Sequence, residues 1–253
     1  MKKAFIVTSA IDVDNSFPLT YSNTRSAFTN EDRLRHTVFT LASLDARTDN
    51  ETTLFLVDIS DNYSQYRSLL SYQRNLVYVS VKEEFPEVYK IARSHRNKSY
   101  CETLILLAFI NKYKTVLEQF DYIFKMSGRY FIDRSFDVSL FNEYNKDKIF
   151  FKRPMKFEWN NSWPYDMVDR RSLQGDNLLY QYSSVLYGFG ADMLDRIVDI
   201  YHVIETFTGH SDKIVYDVET LLYYFTRVYQ DKIIETDWTI YGWDGTSGTF
   251  LRY

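Results

Sequence analysis

The sequence predicts a single α/β domain with a mostly parallel central sheet flanked by helices. Short apolar runs at residues 4–7, 53–57, 76–79 and 121–126 alternate with stretches of helical periodicity, and such alternation makes βαβ units. The 253 residues, 45% of them hydrophobic, suffice for one substantial core. No repeat, linker or low-complexity run divides the chain.

Each element follows from its own residues. Residues 4–7 end in Thr8, Ser9 and Ala10, small groups suited to the tip of a buried strand. Residues 12–30 are polar. Asn30-Glu-Asp-Arg33, with an Asn or Thr cap, opens a helix whose apolar positions are Leu34, Val38, Leu41 and Leu44. A second strand ends at Asp58, a short helix is expected at 68–74, and a third strand at 76–79. Arg93, His95, Arg96 and Lys98 read as a basic loop before a long helix over 99–119, with Ser99 as its cap. The strand at 121–126 runs into Lys125, Ser127, Gly128 and Arg129. Another strand is expected at 148–152. A loop rich in Trp, Asn and Pro follows at 154–174, then a strand at 183–189. Helices are expected over 191–207 and 216–230, and the tail holds Ile233, Ile234 and an apolar run at 238–241.

Composition excludes several classes. A net charge of −4 and a pI of about 5.6 argue against a general nucleic-acid binder. Cys101 is the single cysteine, so no intramolecular disulfide forms and no zinc-ligand spacing exists. The N-terminal apolar run is too short for a signal peptide. The longest central apolar run, residues 104–110, is far below the roughly 20 residues of a membrane span. A cytoplasmic protein is expected, touching the inner face of the cell membrane at most peripherally. Aromatic residues make up 18% of the chain. They suit sugar stacking, but any one of them is better read as core.

A buried strand ending in a lysine, a glycine and an arginine is built to hold an anion at its tip. Ligands of open α/β sheets bind beyond the carboxyl ends of strands, which directs attention to residues 8–10, 58–60 and 127–129. Arg33 and Arg35 point to different helix faces, and either one faces the ligand or both are solvated. Lys98 and Ser99 stand where a helix N-terminus favours phosphate; a solvated loop is the alternative. Asp217 and Glu219 begin a helix, where dipole stabilisation competes with a general-base role. His210 is a further base candidate. Asp133 and Asp137 are weighed as a displaced metal site. Trp159, Trp163, Trp238 and Trp243 either line an acceptor site or plug the core.

Phe124-Lys-Met-Ser-Gly-Arg-Tyr-Phe-Ile132 is similar to the Lys-x-Asp-Asp-Asp-x-Phe-x pattern of galactosyltransferase-like GT-A glycosyltransferases. Ser127, Gly128 and Arg129 stand in place of the three acidic residues. Lys-Ser/Thr-Gly-Arg-Tyr also looks like a form in bacterial enzymes encoded with capsule and lipopolysaccharide genes, and Asn97-Lys-Ser-Tyr-Cys-Glu102 opens its helix much as in those proteins. Leu186-Tyr-Gly-Phe-Gly-Ala-Asp-Met-Leu194 resembles their Gly-Gly-x-x-x-Ser element near the acceptor. Tyr216-Asp-Val-Glu219 resembles the Glu-Asp-Val that supplies the base of inverting members.

The resemblance implies one GT-A-like domain, with residues 1–135 binding a nucleotide-sugar and 136–253 binding a glycan or lipid-linked acceptor. It implies an inverting hexosyltransferase of surface polysaccharide assembly, using a UDP-sugar by preference and no other cofactor. The Thr8 and Ala10 backbone, with Asp58, would seat the base and ribose; Lys98, Lys125, Ser127 and Arg129 would hold the diphosphate, and Arg33, Ser99 and Gly128 complete the donor-binding set. Asp217, favoured by the resemblance, or Glu219 would be the base. Family members place Mg²⁺ or Mn²⁺ at the acidic cluster. A lysine and a permanently charged arginine there imply transfer without a metal. The rival readings are a nucleotidyltransferase, disfavoured because residues 6–15 hold no glycine, and a degenerate, non-catalytic binding module.

Overall fold

The structure, a computed structural model, describes residues 1–20, 22–156, 180–209 and 217–253. Trp159, Trp163, His210, Tyr216 and most of the expected Trp/Asn/Pro loop lie outside the described residues. In chain order, β1 (Lys3–Ser9) is followed by α1 (Asn30–Asp45), β2 (Thr52–Asp58), α2 (Tyr63–Leu69) and β3 (Leu76–Ser80). The short α3 (Val81–Glu84) and α4 (Pro86–Ser94) precede the long α5 (Lys98–Leu117). Then come β4 (Tyr122–Ser127), β5 (Tyr130–Ile132), β6 (Ile149–Lys152), β7 (Met155–Lys156), β8 (Tyr180–Gln181) and β9 (Leu186–Gly190). The last elements are α6 (Leu194–Gly209), α7 (Val218–Thr226), β10 (Ile233–Thr236), β11 (Ile240–Trp243) and β12 (Phe250–Arg252).

Seven strands form the main sheet in the order β10-β6-β9-β4-β1-β2-β3. β1 to β4 are mutually parallel, and β9 runs antiparallel to both β4 and β6. After β3 the chain crosses back through α5 and lays β4 on the far side of β1. The strand order therefore reverses between β1 and β4, the point where open α/β sheets leave a crevice for ligands. Period-two alternation divides the core. Phe5, Val7, Phe124 and Met126 pack with Leu41 and Leu44 of α1 on one face. Ala4, Ile6 and Ile123 pack with α5, α6 and α7 on the other. A small sheet, β12-β11-β5, stands beside α1.

Several elements depart from the sequence reading. α2 starts five residues earlier than expected, because Tyr66 and Leu70 are the buried positions while Leu69 and Tyr72 are exposed. α3 and α4 occupy a stretch to which the sequence reading assigns no element before the basic loop at 93–98; Ser80 caps the first and Pro86 opens the second, both ordinary start signals. Thr29 caps α1, in a capping box with Asp32. Asn97, not Ser99, caps α5, because its side chain accepts from the Ser99 and Tyr100 amides. α7 ends at Thr226 and continues as a 3-10 turn, Arg227–Lys232. Trp238 is buried among Phe124, Phe136 and Phe141, as a core plug, and Trp243 lies in a strand. Among the described residues no helix is long and apolar enough to cross a membrane.

Candidate functional site

A cavity of about 140 Å³ opens at the carboxyl ends of β1 and β4. The register sets Thr8 against Ser127 and Ser9 against Asp58, so three strand tips end at one level. The tight approach of β4 to β1 needs Gly128. Its amide donates to Thr8 O at 2.8 Å, and an added Cβ would stand 3.1 Å from that same oxygen. Thr37 of α1 donates to Gly128 O at 3.2 Å. The turn thereby swings Arg129 over the cavity mouth.

Thr8, Ala10, Arg33, Lys98, Ser127 and Arg129 of the predicted residues line this cavity, joined by Arg25 and Glu102. Its four cations are not equivalent. Arg33 is buried and donates to Ala10 O and Ser26 Oγ. Arg35, two residues on, is exposed and pairs with Glu31 and Asp32, which settles which of the two faces inward. Arg25 donates to the carbonyls of Phe17, Ala92 and His95, tying the 13–25 segment to α4. Among the described residues Arg129 spends its Nε alone, on Trp243 O at 3.3 Å, and the Lys98 ammonium makes no hydrogen bond.

Crowded like charge leaves its mark on titration. Burial, then the Arg129 charge, lowers the affinity of Lys98 for its proton. The same two causes, in the same order, depress Arg33 and His36. An anion entering this cavity relieves both the mutual repulsion and the lost hydration.

Asp58, Ser99 and Lys125 are placed elsewhere. Asp58 is fully buried at the tip of β2 and accepts from the Ile11 and Ser60 amides and from Tyr78 Oη at 2.6 Å. Its oxygens organise the β1 and β2 loops and do not reach the cavity. The Ser99 amide is taken by the Asn97 cap at 3.0 Å, which removes it as a phosphate donor. Lys125 lies on the α5 side of β4, 1% exposed. Its ammonium donates to Glu102, to Ser127 Oγ at 3.1 Å and to Ser184 O at 2.7 Å. A lysine ammonium carries three donors, so this one is fully spent within the protein.

Lys125 instead holds two other groups. Burial of Glu102 is the largest influence and opposes ionisation, but the charge and hydrogen bond of Lys125, with the Lys98 and Arg129 charges, together keep the carboxyl below the usual range. Ser184, whose carbonyl Lys125 binds, donates through its hydroxyl to Glu219. A polar chain therefore runs from the cavity wall at Glu102 to the start of α7. Asp217 is the N-cap of α7, accepting from Thr220 N at 2.6 Å and Gln181 Nε2 at 3.0 Å. Its oxygens are occupied by structure. Asp133 and Asp137 likewise accept from the Ser135 and Ser139 amides in local turns. Among the described residues the donor set does not suit a divalent cation: the cavity carboxylate there, Glu102, is bound by Lys125.

Burial and then the Asp217 charge push the Glu219 carboxyl up from 4.5 to about 7. Between those values the folded chain holds a proton that the unfolded chain has released, so stability falls as pH rises through that window. Glu219→Gln should therefore stabilise the protein by on the order of 1–3 kcal/mol near pH 8 and leave it unchanged near pH 4. Thermal melts at the two pH values check it. Equal effects at both would show that Glu219 titrates normally.

Arg25, Glu102 and Ser184 escaped the sequence reading. Arg25 sits in a polar segment without periodicity, and Ser184 reaches Lys125 only through the antiparallel pairing of β9 with β4. Glu102 did carry a signal, since it lies one helical turn from Lys98. No protein-family model matches the chain, and no curated protein matches it.

Proposed function

We propose that the chain is a GT-A-like glycosyltransferase that moves a sugar from a nucleotide-diphosphate donor to a glycan or lipid-linked acceptor. The observation that carries this reading is the cationic cavity at the β1–β4 crevice, where, among the described residues, Arg129 and Lys98 keep donors free for a diphosphate. Arg25 and Arg33, each anchored by hydrogen bonds to carbonyls or a hydroxyl, act as fixed charges around it. In the reaction the acceptor oxygen bonds to the anomeric carbon as the bond from that carbon to the diphosphate oxygen breaks. The acceptor proton passes to Glu219, and the leaving nucleoside diphosphate keeps the electron pair. Arg129 and Lys98 stabilise that charge as it develops, and preorganised donors of this kind are worth most in a site screened from water. Glu219 is preferred to Asp217 as base because a base works best with a pKa near the operating pH and because the Asp217 carboxylate is committed to its cap.

Bacterial surface polysaccharide assembly and an inverting single displacement remain part of the proposal through the resemblance of the strand-end motif. Transfer without a divalent cation follows from the donor set, in which guanidinium and ammonium groups meet the diphosphate. The test is a thermal-shift screen in EDTA with UDP, GDP, CMP and dTDP and their sugars. At about a hundredfold excess over Kd, a true donor adds about 2.7 kcal/mol, or roughly 5–10 °C for a chain of this size. Donor hydrolysis without acceptor should then rise with pH through a midpoint near 7. Failure of every nucleotide would sink the reading, and a shift that needs Mn²⁺ would sink its metal-free form.

A further inference from the structure

The small sheet turns an aromatic face to solvent. Phe131 of β5 stands opposite Tyr241 of β11, and Trp243 of β11 stands opposite Phe250 of β12. Period-two alternation puts these four rings on one side while Tyr130, Ile132 and Ile240 are buried on the other. Phe39 of α1 extends the patch, its ring 6.3 Å from that of Trp243. Phe39 and Phe250 are 54% and 51% exposed, and neither has a polar handle to justify that exposure. Contiguous exposed apolar surface of this kind marks an interaction site.

Charge borders the rings. Arg252 lies over Tyr241 at 5.6 Å from its centroid. Arg252 and Arg47 both act on the Asp133 carboxyl at the end of β5, and Arg134 follows it in the chain. All three arginines are exposed, a local basic excess on a chain whose net charge is −4.

We propose that this face docks on an anionic lipid bilayer. Phe39 and Phe250 would enter the acyl boundary, Tyr241 and Trp243 would sit at headgroup level, and the arginines would meet anionic headgroups. Sugar stacking needs open ring faces, and these are largely taken. His36 stacks on Trp243 at 4.1 Å and 11°, while Phe131 stacks on Tyr241 at 5.6 Å and 17°. The docking does not rest on the transfer reaction, although it adjoins that site: Trp243 and Arg129 exchange two backbone-linked hydrogen bonds, at 3.2 and 3.3 Å.

Flotation of the full chain with phosphatidylcholine vesicles, with and without phosphatidylglycerol, tests the proposal. The protein should float with the anionic vesicles at low ionic strength and come off in high salt. Phe39→Ser with Phe250→Ser should weaken binding about tenfold per ring. Arg47→Gln with Arg252→Gln should weaken it roughly fivefold per charge. Both pairs are exposed, so their melts should match wild type. The proposal is overturned if wild type stays unbound on anionic vesicles, or if both double variants float as wild type does. It is also overturned if these rings bind immobilised chitohexaose while vesicles are ignored.

Discussion

Arg129→Ala should abolish the nucleotide-induced rise in melting temperature and lower kcat by a factor on the order of 10²–10³. The free protein should nevertheless melt within about 2 °C of wild type. Among the described residues the guanidinium makes one long hydrogen bond, to Trp243 O at 3.3 Å, and a bond of that kind is worth at most about 3 kcal/mol. Against that loss stands relief, because Arg129 is the leading charge that depresses Lys98, Arg33 and His36. Removing it should raise the His36 pKa, which proton NMR of the imidazole reads directly. Arg129→Lys keeps the charge but loses the planar fork that binds phosphate oxygens in pairs. It should recover only part of the binding. A variant that melts far below wild type yet still responds to nucleotide would make Arg129 a structural residue.

Lys125→Met should act in the opposite sense, on stability first. Removing one partner of a buried ion pair costs about 3–5 kcal/mol, since the other charge is left without compensation. Glu102 would be stranded, and the Ser184 carbonyl would lose a 2.7 Å donor. Adding Glu102→Gln removes the stranded charge, so the double variant should regain part of that loss in urea denaturation. Nucleotide affinity of Lys125→Met, measured on the fraction still folded, should fall less than that of Arg129→Ala. An unchanged urea midpoint with lost nucleotide binding would instead place the lysine against the ligand.

Alternation within the 121–126 run already sorts these two residues. In a strand every second side chain shares a face, so Lys125 lies with Ile123, inside the sheet, while Phe124 and Met126 point the other way. A lysine in a buried central strand has to be paired. Arg129 falls after the glycine turn, where the alternation ends. What the sequence did not contain was the identity of the partner. Glu102 is 23 residues away, on a helix that returns across the sheet.

The same division applies elsewhere. The strands β1 to β4, β6 and β9 and the two long helices α1 and α5 were legible because their apolar patterns are strong and local, whereas the short β5, β7, β8 and β12 were not. α3 and α4 were left unassigned although Ser80 and Pro86 announce them, because both are short and rich in charge. Asp58 looked like a ligand residue from its place at a strand tip. The structure shows its oxygens filled by Ile11, Ser60 and Tyr78, groups that only folding brings to it.

By itself the sequence determined an α/β chain with a parallel first half and a polar strand end carrying Ser127, Gly128 and Arg129, since alternation, capping and composition act over a few residues. Tertiary structure alone decided which cavity cations are, among the described residues, free and which are spent. It also decided that Glu219 is pushed toward neutrality while Asp217 serves as a cap. Those outcomes depend on desolvation and on charges brought together across the sheet, and neither has any counterpart in local sequence.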